Sequence, residues 1–599
     1  MEKIGKITEL NGKSFYYSFL AGAKNLFDNQ KYVNKINVFP VADADTGTNL
    51  ASTLQSIIDN VIPTIHLKQT SVAIADAAIV GARGNSGIIF AQFLYGFSNE
   101  VADMESITIE KFAENLQKAV LYTYESIINP VEGTLITVLK DWADYIYLVR
   151  NITEDFIQLI IDSHVKASES LKETTKKLEI LAKYNVVDAG AQGFLFFLEG
   201  MISYFKDGSL KNLATTRNLT RSDDFIDTHE DVTFRYCTEA LIGGEALNKK
   251  LLTEQISRYG DSMVIAGSQK KLRLHIHTDQ PAEVFRIIAT NATILSQKVD
   301  DMVFQNDIQQ NRKWNIALAT DSCADLPQSL MEKYQIHMLP LTLHVGKNQY
   351  VDKLTITASQ FYDILRSSPD YPTSSQPGKK EFLNKYLYLT SHYDSIISLN
   401  LSDKLSGTYN NSKSAAHAIS CQTGKKISVI NSKTLSGPQG LLLLRIAKAL
   451  ENGMSHDEIL VKADEWIEKT KIYVNVKTLK YFIKGGRVSP LKGFISNLLN
   501  VKPIVSVDKE GRAEVFKKSF SRNASIKKTL GLLKAHIETD KIHSYCILYA
   551  NKEEEENANK YAKKVEALIG KSPEYIMPIS PVIGVSAGIG TIAVALLFE

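Results

Sequence analysis

Asn37-Val38-Phe39-Pro40-Val41-Ala42-Asp43-Ala44-Asp45-Thr46-Gly47-Thr48-Asn49 is the stretch on which the reading of this chain turns. Two carboxylates two residues apart, beside a glycine-containing turn, can converge on one hard cation. Mg²⁺ takes oxygen ligands and usually keeps coordination positions for phosphate. Taken alone, the same residues also describe a solvated Asx turn before a helix, capped by Asp45 or Thr48. A second stretch, Gly81-Ala82-Arg83-Gly84-Asn85-Ser86-Gly87, runs straight into an apolar helical segment, Ile88 to Phe97. Its glycines let backbone N–H groups approach phosphate, a helix N-terminus favours anions, and Ser86 adds a hydroxyl. A tight interhelical turn would read the same way, and the spacing fits neither the P-loop nor the dinucleotide-binding fingerprint.

Around these stretches the first third of the chain has helical periodicity, over Phe15–Asn29, Phe112–Ile128 and Phe156–Leu181. Gly-containing loops interrupt it at 43–48, 81–87, 132–134 and 188–193, which suggests a helical bundle with functional loops at its ends. Residues 209–230 are polar and read as a linker. A small α/β unit follows, with strands at Phe234–Glu239, Ser262–Ala266 and Lys271–Thr278 and helices at Glu245–Tyr259 and Ala282–Ala289. Beyond about residue 313, strands alternate with helices (Ile316–Thr320, Leu326–Tyr334, Ile396–Asn400, Gly407–Ala418, Ile427–Ile430, Gly440–Glu451), which predicts parallel, doubly wound sheets.

At 599 residues the chain has room for about three to five domains. Its 44% hydrophobic and 23% charged residues are those of an ordinary globular protein. A formal net charge of +3 gives no reason to expect a nucleic-acid-binding surface. Cys237, Cys323, Cys421 and Cys546 form no CxxC pair, so a reducing cytoplasm is expected and a disulfide framework is not. The first residues, MEKIGKITELNGKSF, lack the apolar core of a signal peptide. The apolar run 581–598 is broken by Ser586, Thr591 and glycines and falls short of the ~20 residues of a spanning helix. It reads as a buried strand and turn, so no transmembrane segment is expected, though transient membrane contact is compatible with the sequence.

Taken together, NVFPVADADTGTN, GARGNSG, EGT at 132–134 and DAGAQG at 188–193 resemble, in order, the DhaL-like domain of dihydroxyacetone kinases. The resemblance covers residues 1–208. It implies an all-α helical barrel that holds ATP and Mg²⁺ at one end, with Asp43 and Asp45 as catalytic metal ligands and Asn37 near a further ligand position. It also implies nucleotide contacts from Thr46, Thr48, Asn49, Gly84, Asn85, Ser86, Thr134 and Asp188. The usual motif reads Asp-Gly-Asp; here Ala44 stands between the carboxylates, which preserves both but requires φ < 0 or a strained turn.

In the middle segment, Leu272-Arg273-Leu274-His275-Ile276-His277-Thr278 alternates apolar and polar residues, so a strand puts His275 and His277 on one face. With Cys237 on another strand they make a sensible zinc ligand set, or else a polar strand face with a lone buried thiol. FRYCTEALI, GDSMVIAG and LRLHIHTDQP resemble the middle domain of the two-component bacterial fatty acid kinase, spanning 231–310. That resemblance implies a Zn²⁺ site at Cys237, His275 and His277.

In the last segment, TDSCADL, TSSQP, LSGTYNNSKSAA, INSKTLSGPQGL, FIKGGRVSP and LLNVKPIVSV resemble the DegV family of fatty-acid-binding proteins over 314–599. The resemblance implies two α/β subdomains with a buried acyl chain. Ser374, Ser375, Ser406 and Ser586 would hold the fatty-acid carboxylate, and Arg487 would serve partner docking near the opening. Ser586 stands where the family commonly has a His, so it can hydrogen-bond but cannot carry an imidazole's charge.

The combination suggests an ATP-dependent fatty acid kinase with both roles in one cytoplasmic chain, acting on a long-chain fatty acid. By resemblance it would be a homodimer and feed an acyl-phosphate acceptor enzyme. Two alternatives stay open. One is a nucleotide-sensing lipid carrier without kinase activity. The other is a dihydroxyacetone-type kinase, which leaves the C-terminal half unexplained.

Overall fold

The computed structural model describes residues 6–207, 233–487 and 501–599. The polar stretch read as a linker, 209–230, lies outside the described residues. The chain divides into two compact units, Met1–Gln280 with Ile287–Met302, and Pro281–Arg286 with Val303–Glu599.

Amphipathic helices build most of the first unit. The helices Thr46–Asn60, Leu67–Gly81, Gly84–Glu100, Ile109–Tyr124, Leu135–Val149, Phe156–Lys177, Ala189–Asp207 and Gly12–Asp28 pack each on the next. The last returns to the first two, which closes a barrel. Apolar stripes fill its interior with rings: Phe19, Phe90, Phe194 and Phe197 lie edge-on or stacked on one another, and Phe194 meets Trp142 at 5.3 Å. The start of the first helix is set by Asn11, whose side chain accepts from the Ser14 N–H and extends the helix ahead of the expected Phe15. The helix expected over Phe156–Leu181 instead breaks at Leu178, which is extended, and restarts as Glu179–Tyr184.

The middle segment folds as an antiparallel sheet in the order Gly260–Gly267, Lys271–Thr278, Tyr236–Gly243, Thr293–Asp301. Its last strand has no counterpart in the sequence reading, because TILSQKVDD carries too little apolar alternation to stand out. The sheet docks on the barrel. Leu241, Val264 and Ala266 join the barrel's core, the Ile265 N–H donates to the Ser126 carbonyl, and the Gly267 N–H donates to Gln92.

The second unit holds two principal sheets. One is parallel, as expected, in the order Lys426–Asn431, Ser395–Asn400, Ile316–Asp321, Ile336–Leu339. The other runs Ala513–Lys517, Ile504–Val507, Thr470–Asn475, Ile592–Phe598, Ile542–Tyr549, Tyr575–Pro578, and is antiparallel except for its last pair. The expectation of parallel sheets holds for the first and fails for the second, where four of the five strand pairs are antiparallel. Asp508 to Gly511 make a tight turn, with Gly511 at φ +87, that joins two strands without a crossover helix. The apolar C-terminal run is also more than strand and turn: Pro581–Ala587 is a short helix with Pro at its start, followed by the strand Ile592–Phe598. Among the described residues no helix is long and apolar enough to cross a membrane.

Barrel closure depends on a close approach of Gly12–Asp28 and Ala189–Asp207. A methyl on Gly200 would stand 2.3 Å from the Ala21 carbonyl oxygen and 2.7 Å from the Gly22 Cα. Helix propensity alone would favour Gly200→Ala by about 1 kcal/mol. Overpacking against backbone costs about 1–3 kcal/mol. The expected outcome is therefore a net loss of stability in urea denaturation, against the sign that propensity predicts.

Candidate functional site

Four loops singled out in the sequence each lead into a helix: Thr46–Asn60, Gly84–Glu100, Leu135–Val149 and Ala189–Asp207. Residues from the starts of all four line two adjoining cavities, so their partial positive charges gather at one end of the barrel.

The smaller cavity, about 40 Å³, is polar. Asp43 and Asp45 line it with Asn37, Thr46 and Asn49. The turn between the carboxylates is left-handed: Ala44 has φ +49 and is buried, so the strain anticipated for an alanine at this place is present. Asp45 accepts from the Asn49 side chain at 2.7 Å. Asn37 braces the turn, accepting from the Thr46 N–H at 3.0 Å and from its hydroxyl, and donating to the Val41 carbonyl. Thr48, expected among the nucleotide-binding residues, lines neither cavity. Its hydroxyl accepts from Gln30 and Asn34 and ties two helices together.

Gly84, Asn85 and Ser86 also line the small cavity. The helix begins at Gly84 itself, not at Ile88, so the glycine stretch is a helix start and not a free loop. Gly84 has φ +55, and the Asn49 side chain fills the space where its Cβ would stand, 2.2 Å from that position. The Asn85 Oδ1 is buried without a hydrogen-bond partner.

The remaining wall comes from the middle sheet, far along the chain. Cys237, Glu239, His275 and His277 line the same cavity. Antiparallel register sets Cys237 opposite His277 and Glu239 opposite His275, with alternate residues on one face. The Cys237 thiol lies 3.8 Å from His275 Nδ1, and one donor atom each from Cys237, His275 and His277 lie within 4.8 Å of one another. Burial, with the Glu239 carboxylate adding to it, pushes the Cys237 thiol well up. Burial and the neighbouring His275 push His277 down to about 3, leaving a neutral imidazole. The His275 Nε2 is buried without a partner.

Glu239 and Arg273 were missed in the sequence. The Glu239 carboxylate accepts from the Gly84 N–H at 2.7 Å and from Arg273 at 2.7 Å, with Arg83 at 3.5 Å. Burial alone would raise its pKa, but the neighbouring His275 imidazole, Lys298 and Arg273 outweigh burial and hold it well below the usual carboxylate range. The signal was present: Glu239 is two residues from Cys237, and Arg273 two from His275, on the faces already assigned.

The larger cavity, about 290 Å³, shares Phe39, Pro40, Asn85 and Ser86 with the smaller one. It adds apolar walls from Ile89, Ile136 and Val264, with Thr134 and Asp188 as polar groups. Burial raises Asp188 to about 6 against the N–H groups of Ala191, Leu135 and Gly190, which pull the other way.

The second unit has its own cavity, about 520 Å³, within the range of small-molecule sites. Leu401, Ile472, Val505 and Phe482 are among its apolar walls, and Ser374, Ser375, Ser406 and Ser586 all line it. Ser374 and Ser375 sit on a short strand paired with Thr342–Val345, where Ser375 hydrogen-bonds His344 at 2.9 Å. Ser406 bonds Gln376 at 3.2 Å and Thr408 at 2.9 Å. Arg487, expected to serve docking, lies in the cavity wall and donates to the Gly485 carbonyl.

Comparison with known proteins gives the same three segments in the same order. A DAK2 domain model matches residues 40–203, a model of the FakA-like fatty acid kinase middle domain matches 233–309, and the DegV family model matches 315–599. Uncharacterised proteins of Staphylococcus aureus, from strains bovine RF122 and MRSA252, are each 33% identical over 311 residues, 49% of this chain. The match spans 56% of the length of those relatives. Among solved structures, DegV from Bacillus subtilis, described as a fatty acid binding protein, is 29% identical over 48% of this chain and 100% of its own, with a TM-score of 0.44. A DegV family protein from Thermus thermophilus, described by its fatty acid binding, is 27% identical over 48% of this chain and 100% of its own, with a TM-score of 0.43.

Two outcomes follow from the geometry of the barrel end. A left-handed φ costs a non-glycine residue about 1–2 kcal/mol, and glycine's unfolded-state entropy offsets about 0.5–1 kcal/mol of the relief. Ala44→Gly is therefore expected to stabilise the first unit by up to about 1 kcal/mol in urea denaturation. The second concerns Asp188. Folded, it keeps its proton up to about pH 6; unfolded, it releases it near the ordinary value of 3.8. Its contribution to stability is thus greatest below about 4 and is lost as pH rises through 6. Asp188→Asn should remove that slope, so its melting temperature gains on the wild type as pH is raised from 4 to 7.

Proposed function

We propose that this chain transfers the γ-phosphoryl group of ATP to the carboxylate of a long-chain fatty acid, giving an acyl phosphate and ADP, with kinase and lipid-holding roles in one polypeptide. One observation carries the reading. Two donor sets of different metal preference, far apart in sequence, line a single small cavity that shares a wall with a larger, mostly apolar chamber at clustered helix N-termini.

In this reading Asp43 and Asp45 hold Mg²⁺. The donor chemistry fits: hard carboxylate oxygens share the cavity with the unpartnered Asn85 Oδ1. Ser86 and the helix start around it bind phosphate oxygens, while the larger chamber takes base and ribose beside Thr134 and Asp188. Mg²⁺, when bound, neutralises charge building on the phosphate oxygens. Cys237, His275 and His277 fit zinc, since one thiol and two imidazoles, one with an orphaned buried nitrogen, match its preferred ligands. Zinc, when bound, supplies a fixed positive charge and a rigid clamp on the sheet.

In the second unit Ser374 and Ser406 orient the fatty-acid carboxylate through hydroxyl donors, with the acyl chain against Leu401, Ile472 and Val505. A carboxylate is already ionised at neutral pH, so the nucleophile needs no strong general base. The matched family names and the fatty-acid binding ascribed to the DegV proteins support this assignment.

The test is acyl-phosphate formation by the full-length chain with ATP, Mg²⁺ and palmitate and no added protein, trapped as the hydroxamate. Product is expected, and Asp43→Ala should lower it by about 10²–10³-fold, on the scale of losing a main electrostatic stabiliser of the transition state. A preparation that binds both ATP and palmitate yet forms no product would overturn the proposal in favour of a nucleotide-sensing lipid carrier.

A further inference from the structure

The carboxylate pair, the glycine-rich helix start and the Cys/His cluster are joined by one chain of contacts. Asp45 accepts from Asn49 at 2.7 Å. Asn49 packs into the notch that Gly84 leaves open through its positive φ and missing Cβ. The Gly84 N–H donates to Glu239 Oε1 at 2.7 Å. The other oxygen, Oε2, accepts from Arg273 at 2.7 Å, and His275 Nδ1 lies 3.8 Å from Oε1, itself beside the Cys237 thiol. Glu239 is 1% exposed and is the member of this chain that touches both the barrel and the Cys/His cluster.

From this geometry we infer that Glu239 is a positioning residue shared by the two metal-binding centres, fixing the Gly84–Ser86 helix start for nucleotide phosphates and orienting His275 for its metal. The inference rests on the nucleotide-binding reading above and goes beyond it, because it couples the two centres. Ordering His275 for its metal also orders Glu239, and through it the Gly84 amide. By linkage, nucleotide in turn favours the metal. A carboxylate beside a ligating imidazole acts in the same way in known metal sites, and its loss costs about 10–100-fold in metal affinity.

Two substitutions weaken this link in different ways. Glu239→Gln keeps the size and an acceptor for Gly84 but removes the charge that holds Arg273. Glu239→Asp keeps the charge but draws the carboxylate back by one methylene, away from the Gly84 N–H.

The experiment uses the full-length chain. Mg·ADP affinity is read by calorimetry, and Zn²⁺ affinity by competition with a chromogenic chelator. Amide exchange at Gly84–Gly87 reports the helix start directly. For Glu239→Gln, both affinities are expected to fall by about tenfold or more, with faster exchange confined to Gly84–Gly87 and an unchanged circular dichroism spectrum. Loss at one centre only, no loss at either, or tighter nucleotide binding would overturn the inference. The last would mean that Glu239 competes with phosphate for the helix start. If Glu239→Gln does not fold, Glu239→Asp takes its place, with the same readouts and the same results counting for and against. A wild type that binds no Mg·ADP sinks the proposed function first, and this inference with it. A wild type that binds nucleotide while both variants match it sinks this inference alone.

Discussion

A charge buried at a helix start organises the first unit. The Glu239 carboxylate sits in protein interior against the Gly84 amide, and a lone carboxylate there would cost several kcal/mol in lost hydration. The Arg273 guanidinium, itself buried, offsets that cost at 2.7 Å, and the partial positive charge of the helix start adds to it. Such a contact tolerates little displacement. If the sheet slid along the barrel by one residue, alternation would turn Glu239 away and leave Arg273 uncompensated. The pair therefore selects a docking register for the sheet, and that register delivers Cys237, His275 and His277 to the wall shared with Asp43 and Asp45.

Backbone strain lies on the same wall. Ala44 and Gly84 both have positive φ within the lining or its immediate neighbours. Glycine reaches that conformation freely, whereas alanine at 44 costs energy that the surrounding packing must hold in place. Asn37 supplies part of the restraint, spanning the turn from Val41 to Thr46. A turn clamped in this way keeps two like-charged carboxylates pointed at one small volume, an arrangement that mutual repulsion opposes unless a cation joins them.

Much of this was legible in the sequence, and the reasons for what was not are physical. Local signals held: helical spacing, the four glycine-bearing loops, and the strand Lys271–Thr278, whose alternation put both histidines on one face. Long-range convergence did not show, because nothing in either segment says that Asp43 and His277 meet. A motif gives the order of residues but not the rotation of the helix carrying them, and the Thr48 hydroxyl turns toward Gln30 and Asn34. The mixed second sheet was hidden because strand direction is set by which strands meet in space, which the alternation of strands and helices does not give, and the C-terminal helix by its apolar composition, which a buried helix and a buried strand share.

The two units solve opposite problems of recognition. The barrel end gathers helix dipoles, carboxylates and imidazoles around a volume of about 40 Å³, where any ligand must meet the field of fixed charges. The second unit offers about 520 Å³ lined mostly by aliphatic side chains, with serine hydroxyls in its wall. Burying an ion among aliphatic groups is unfavourable, so an anionic headgroup there must be met by donors at its own position. Ser374, Ser375 and Ser406 can donate without full charge neutralisation, and Ser586 adds one more neutral donor. Arg487, in the same wall, donates to the Gly485 carbonyl. A headgroup held by neutral hydroxyls keeps more of its charge, and hence its nucleophilicity, than one locked in a bidentate ion pair. Under the proposed function this cavity presents a carboxylate for reaction; weak donors would then be the better choice, and the serine-rich wall supplies them.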